Sequence, residues 1–398
     1  MTFADTGKEF RAGTKLTLLG RNPEDQSGFA NAPLYKGSTI IYKTLDDFEN
    51  LRSRFYYGTA GSPTIANLED AWTELTGAAG TVLSPSGLGS IALALLSFSK
   101  AGDHILITDS TYEPTRLFST RFLAKYGVEA EYYDPLIGAD IEKLVRPNTS
   151  IIFLESPGSQ TLEVQDVPAI AKVAQKHNII TIIDNTWATP VFFRPHDHGI
   201  DVTIEAGTKY LGGHSDMLLG LTTANQKCWP KLRQTYDAMA MLPGAEDCQL
   251  ALRGMRSLAV RLRDIQYKSV ALAKMLQNRP EVETVLHPAL ESCPGHKIWK
   301  RDFKGCTGVF SIVLKDGIER NDIERMLNNM KIFGMGLSWG GYESLIVPFQ
   351  AKRIRTATKF GYESLTLRLQ VGLEDLADLE MDLQAGLDRL NFKRKAKL

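Results

Sequence analysis

The chain has 398 residues, 43% hydrophobic and 23% charged, an ordinary composition for a soluble globular enzyme. Forty-six basic residues balance forty-six acidic ones, so no net field favours nucleic acid or an anionic membrane as partner. The length exceeds one typical core, so two or three domains are expected.

The longest apolar stretches, 91–98 and 179–183, are too short to span a bilayer. Residues 1–14 have no signal-type apolar core. Cys228, Cys248, Cys293 and Cys306 lack CxxC spacing and read as scattered thiols of a reducing cytoplasm, not as a disulfide framework or zinc site. The expectation is a soluble cytoplasmic protein.

Residues 1 to about 60 show little periodicity but many Gly, Pro and Tyr residues, as in an arm that could reach over a neighbouring subunit. A helix–strand alternation then begins. The spacing of Ile65, Leu68, Trp72 and Leu75 predicts a helix over 63–76. A short strand at 81–83 and a buried helix at 89–99 follow, then a strand at 104–109 and a helix at 115–126. Strands at 129–133 and 151–155, a helix at 168–177, and strands ending at Asp184 and near Glu205 complete the series. This pattern predicts a large α/β domain over 61–256, with a mostly parallel sheet covered on both faces. Ligands of such sheets sit beyond the strand carboxyl ends, where Asp109, Glu155, Asp184 and the 206–209 loop fall.

A long amphipathic helix is expected over 258–277, with Arg261, Arg263, Lys268 and Lys274 on a basic face. It leads into a smaller α+β domain over 257–398. That domain has expected strands at 284–286, 309–314, 344–347 and 365–371, and helices at 322–329 and 373–390. The basic stretch 393–397 reads as a frayed, solvated end.

Two site readings compete. Gly87, Gly89 and Ala92 fit GxGxxA after a short strand, with Asp109 at the end of the next strand, as in a nicotinamide-dependent dehydrogenase. Against this, some eighty residues precede the motif, and a dehydrogenase gives no reason for Asp184 or Lys209.

A pyridoxal phosphate site explains all of them. It needs an amine for the imine, a carboxylate for the ring nitrogen, a stacking partner, and N–H and hydroxyl donors for the phosphate. Lys209, in a loop of small residues, supplies the amine and then a base. Asp184 supplies the carboxylate, with a helix N-cap as the plainer alternative. Tyr112 can lie on the ring. Ser86, Gly87 and Leu88 offer a phosphate nest, and Thr208 a further hydroxyl. Arg368, in the apolar run 365–371, is costly to bury unpaired; a grip on a substrate carboxylate would explain it, as would an internal salt bridge. His196-Asp197-His198 lacks a further ligand with clear spacing and reads as a surface turn, so no metal is expected.

With these residues assembled, the chain resembles the Cys/Met-metabolism family of pyridoxal-phosphate enzymes over roughly residues 15–390. The motifs that carry the likeness are Glu155-Ser156-Pro157-Gly158-Ser159, Asp184-Asn185-Thr186-Trp187, Thr208-Lys209-Tyr210 with Gly213-His214-Ser215-Asp216, and Ser338-Trp339-Gly340-Gly341-Tyr342. Trp339 and the 110–115 stretch are similar to the branch that performs β-elimination on cystathionine, an amino-acid substrate of methionine biosynthesis. The γ-lyases and γ-synthases of the family are the alternatives. The resemblance implies a fold-type-I, aminotransferase-like architecture and a homotetramer built as a dimer of dimers. It also implies Tyr57 reaching the neighbouring subunit's cofactor, and Arg368, Ser338 and Trp339 at the substrate.

Two positions depart from the family. Thr59 stands where an arginine usually reaches the neighbour's phosphate, and Ala206 where serine is common; Arg54 or Lys43 could compensate. A charged contact of this kind is worth roughly 1.5–3 kcal/mol. Thr59→Arg is therefore expected to tighten cofactor binding, read as slower loss of cofactor on dialysis. Unchanged or faster loss would overturn this.

Overall fold

The computed structural model describes residues 10–350, 355–362 and 364–390. The stretch 393–397 lies outside them. Eleven strands form two sheets among the described residues. The larger contains β1 (Gly80–Ser84), β2 (His104–Thr108), β3 (Glu129–Tyr133), β4 (Thr149–Glu155), β5 (Ile180–Asp184), β6 (Val202–Ala206) and β7 (Gly220–Ala224). Their order is β1-β7-β6-β5-β4-β2-β3, and only β7 runs against the others. The sheet is mostly parallel, in an α/β architecture with the smaller antiparallel sheet beside it. That second sheet has the order β10-β11-β9-β8, from β8 (Val282–Leu286), β9 (Val309–Leu314), β10 (Leu345–Phe349) and β11 (Thr366–Gln370).

The helices follow from local signals. In the arm lie α1 (Ala12–Leu18) and α2 (Leu45–Glu49). Helix α3 (Pro63–Thr76) has the predicted bounds because Ser62 caps the Ile65 N–H, Pro63 presets the first turn, and Gly77 ends it left-handed. Helix α4 (Gly87–Phe98) starts on Ser86, whose Oγ accepts the Gly89 N–H at 3.0 Å.

The helix expected at 115–126 is broken. Helix α5 (Glu113–Leu117) passes into a π-helical turn at Phe118–Phe122 and a 3₁₀ turn at Leu123–Tyr126. Ser119 and Thr120 donate back to the carbonyls of Thr115 and Arg116, which competes with regular winding.

Helices α6 (Val167–Lys176) and α7 (Thr189–Phe192) precede two features that periodicity does not reveal, strand β7 and helix α8 (Trp229–Met239). The remaining helices are α9 (Ala245–Gln277), α10 (His296–Asp302), α11 (Arg320–Leu327) and α12 (Leu376–Asp388).

Helix α9 begins thirteen residues before the expected start at 258 (258 − 245). Gly254 interrupts the sequence signal, yet a Cβ there would lie 2.1 Å from the Leu211 carbonyl oxygen and 2.6 Å from that of Gly212. The helix needs glycine to pass over the loop that follows Lys209. The expected basic face is also corrected. Arg263 and Lys274 are exposed, but Arg261 and Lys268 are buried. Arg261 donates to the Gly254 and Leu211 carbonyls, and Lys268 pairs with Asp264 at 2.5 Å and donates to the Leu373 carbonyl, so that neither buried charge is left without a partner.

Asp109 closes the carboxyl end of β2. It pairs with Arg116 at 2.6 Å and accepts N–H bonds from Thr356, Ala357 and Thr358. Burial alone would raise its carboxyl, but the bonds from Thr356, Arg116 and Thr358 hold it below the ordinary aspartate value. Its stabilising effect is thus fully present above the unfolded pKa and is lost as pH falls through the depressed folded one. Asp109→Ala leaves Arg116 without its carboxylate, at a cost of about 3–5 kcal/mol. Urea denaturation at neutral pH should show that loss, and the gap to wild type should narrow in acid.

Candidate cofactor site

Neighbouring parallel strands deliver their last residues to one cavity of about 240 Å³. Register places Glu155 of β4 beside Asp184 of β5, and Asp184 beside Ile204 of β6. Past β6 the chain turns sharply, with the Lys209 N–H donating to the Ala206 carbonyl at 3.0 Å and the Gly213 N–H to the Lys209 carbonyl at 2.8 Å. Gly340 (φ +82°) fits against this turn; a Cβ on it would lie 2.9 Å from the Tyr210 nitrogen.

The Lys209 amine enters the cavity, donates to Ser338 Oγ at 2.8 Å and lies 5.3 Å from the Trp339 ring. Its pKa is lowered to about 8, first by burial and then by the Arg368 charge, with Asp184 opposing. Asp184 accepts the Thr186 N–H at 2.9 Å. Burial pushes its carboxyl up, while Thr186 and Lys209 pull it down. Glu155 accepts the Tyr112 N–H at 2.7 Å and the Thr111 hydroxyl at 3.3 Å. Burial and the nearby Asp184 carboxyl push it well above the usual glutamate range. Glu205 is bound by Asn185.

Opposite the lysine, α4 presents its first turn. The N–H groups of Gly87 and Leu88 have no intrahelical acceptor by position, which suits a phosphate. A Cβ on Gly87 would come 2.7 Å from that of Ala206, so the cradle is open only because residue 87 is glycine.

Of the expected site residues, the cavity collects Ser86, Gly87, Leu88, Tyr112, Asp184, Thr208, Lys209, Trp339 and Arg368, and Ser338 is bonded to the lysine. Several differ in detail. The Thr208 hydroxyl donates to the Leu219 carbonyl and accepts the Leu219 N–H, so it braces the loop and is not turned to a phosphate.

Arg368 forms no salt bridge among the described residues. Its Nη2 donates to the carbonyls of Gly336, Leu337 and Ser338, while its buried Nε has no partner. Tyr57 lies outside this subunit's cavity and is half exposed. Arg54, the expected compensation for the arginine missing at Thr59, makes an exposed bidentate pair with Asp70 at 2.9 Å within this subunit. His196 ties its turn to the sheet through the Ile200 carbonyl and Thr223 Oγ1.

Sequence reasoning assigned no role to Glu155, although its position one strand from Asp184 was visible, nor to Gln160, which also lines the cavity.

The dinucleotide reading fails on topology. Strand β1 is an antiparallel edge strand, not the first central strand of a nucleotide fold, and Asp109 is sealed by Arg116 and the 356–358 backbone.

A parallel sheet bearing a lysine of lowered pKa, a buried carboxylate one strand away and an open helix N-terminus is the site of a fold-type-I pyridoxal-phosphate enzyme. The lone buried Nε of Arg368 and the glycine cradle fit that cofactor with its amino-acid substrate. The family described as Cys/Met metabolism PLP-dependent enzyme matches residues 13–388, and the chain belongs to it.

It is 67% identical over 333 residues to a putative cystathionine beta-lyase of Saccharomyces cerevisiae, covering 84% of this chain and 98% of that one. It is 42% identical to the cystathionine beta-lyase MetC of Escherichia coli, covering 95% and 98%. Among solved structures, metB from Corynebacterium glutamicum superposes with a TM-score of 0.89 at 28% identity, over 96% of this chain and 99% of that one.

Only an uncharged amine attacks an aldehyde, so the lowered pKa of Lys209 suits it to take up the cofactor. Reconstitution rates followed by absorbance should rise with pH and reach half their plateau near pH 8. Arg368→Leu removes a repelling cation and should shift that midpoint upward. An ordinary lysine midpoint in the wild type would refute the assignment.

Proposed function

We propose that the chain catalyses β-elimination of L-cystathionine, giving homocysteine, pyruvate and ammonia. The observation that carries this reading is the Lys209 amine. It is buried between Arg368 and Asp184 and held by Ser338, in a chain whose relatives at 67% and 42% identity bear the β-lyase name.

When bound, pyridoxal phosphate supplies a sink for the electrons of the substrate Cα–H bond. The residues around it divide the remaining work. Asp184 would hold a proton on the ring nitrogen, the Gly87 and Leu88 N–H groups would hold the phosphate, and Tyr112 would lie at the ring. Arg368 Nε donates to the substrate α-carboxylate, and Ser338 and Trp339 border the same place. Lys209 takes the Cα proton and returns a proton to sulfur as the Cβ–S bond breaks. Water then hydrolyses the three-carbon remainder to pyruvate and ammonia.

We assign the active assembly to a homotetramer in which Tyr57 of each arm serves a neighbouring site. In support, the arm leaves Ile41 92%, Leu45 69% and Phe48 59% exposed on one subunit. The four cysteines are free and buried, which suits the reducing cytoplasm in which we place the protein. No helix among the described residues is long and apolar enough to cross a membrane.

The test is the keto acid formed from L-cystathionine. Pyruvate is expected, 2-oxobutyrate would mean γ-elimination, and neither would remove the lyase reading. Borohydride reduction of the holoenzyme should attach the cofactor to Lys209, and Lys209→Ala should lower turnover by at least a hundredfold.

A further inference from the structure

Among the described residues that line the cavity, only two carry a buried side-chain nitrogen or oxygen without a hydrogen-bond partner: Arg368 (Nε) and Gln160 (Oε1). They are opposite in sense. The first is a donor that suits a carboxylate; the second is an acceptor that calls for an N–H or O–H group. A buried acceptor left unpaired is unfavourable, so a ligand that supplies the donor gains by entering.

Gln160 is also held in place at a cost. Its φ is +65°, a left-handed conformation that glycine adopts freely and glutamine does not. The surrounding bonds impose it. The Ser159 N–H donates to the Ser110 carbonyl at 2.7 Å, and Ser311 Oγ donates to the Gln160 carbonyl at 2.5 Å. Ser311 is the cross-strand partner of Arg368. The strained residue therefore stands between the loop that carries Tyr112 and the strand that carries Arg368. Strain of this kind concentrates at ligand-binding positions.

Three other acceptor groups of the cavity already receive donors. Glu155 receives Tyr112 and Thr111, Asp184 receives Thr186, and Ser86 receives Gly89. The α-amine of a bound amino acid is committed to the cofactor end of the site. The donor left for Gln160 must come from the far end of the substrate.

We propose that Gln160 is a specificity-determining residue that accepts a hydrogen bond from a second ammonium group, distal to the reacting carbon, so that the site favours diamino-dicarboxylates over amino acids with plain alkyl tails. This rests on the β-elimination reading for its substrate class, but its test does not depend on turnover.

L,L-2,7-Diaminosuberate has the backbone length of cystathionine with carbon in place of sulfur, and L-2-aminooctanoate lacks the distal charges. Neither carries a leaving group. Binding of each to the holoenzyme is measured by calorimetry for wild type, Gln160→Leu and Gln160→Glu. Gln160→Leu should weaken diaminosuberate about tenfold and leave aminooctanoate within about twofold. Gln160→Glu should bind diaminosuberate at least as tightly as wild type. Three results would each overturn the proposal: equal effects on both ligands, no wild-type binding of diaminosuberate, or weaker binding of it by the glutamate variant. A failed pyruvate assay with these affinities intact would instead remove only the reaction assigned above.

Discussion

The site depends on keeping one amine near neutrality in a place that does not favour a cation. Burial is the largest influence on Lys209, and Arg368 adds repulsion, while Asp184 alone pulls the other way. If the anion dominated, the lysine would be a permanent ion pair and a poor nucleophile. The sheet sets that balance, since β5 and β6 are adjacent, with Asp184 at the end of β5 registered to Ile204, and β6 running on to Ala206 just before the lysine turn. Gly340 and Gly254 then bring two further segments against the lysine turn, closer than any side chain would allow.

The two strand-end aspartates show how environment decides a carboxylate's part. Asp109 is ringed by Arg116 and three backbone N–H groups, stays anionic, and fastens the 355–358 segment to the larger sheet. Asp184 has one backbone donor and a nearby amine, and its carboxyl is raised. From sequence both are an acid at the end of an apolar strand. Arg116, seven residues on, and the distant Thr356 to Thr358, some 250 residues on, separate them, and no local pattern encodes the distant contact.

Legibility followed the same division. Helix α3 was readable to its ends because its cap, its Pro and its terminal Gly are all local. The residues that the cavity collects were readable because strand-end position is local too: Lys209, Asp184 and Gly87 each sit at a recognisable junction. Strand β7 was missed because Gly220-Leu221-Thr222-Thr223-Ala224 is short and half polar, and gains its place only by pairing with both β1 and β6. The early start of α9 was hidden by Gly254, a helix-weakening residue whose reason is a loop forty-three positions away (254 − 211). Arg261 and Lys268 looked like a solvated face because charge alone does not reveal a carbonyl waiting in the interior.

Ala206 gains a meaning that comparison with the family alone did not supply. Its methyl group and the missing methyl of Gly87 compete for one small volume, since a Cβ at 87 would stand 2.7 Å from the one at 206. The two positions are therefore a single packing unit split across 119 residues (206 − 87), and side-chain bulk can sit on the β6 side or the α4 side but not on both. Any lineage that enlarges residue 87 must first shrink residue 206, so the order in which the two can change is set by geometry before selection on catalysis begins.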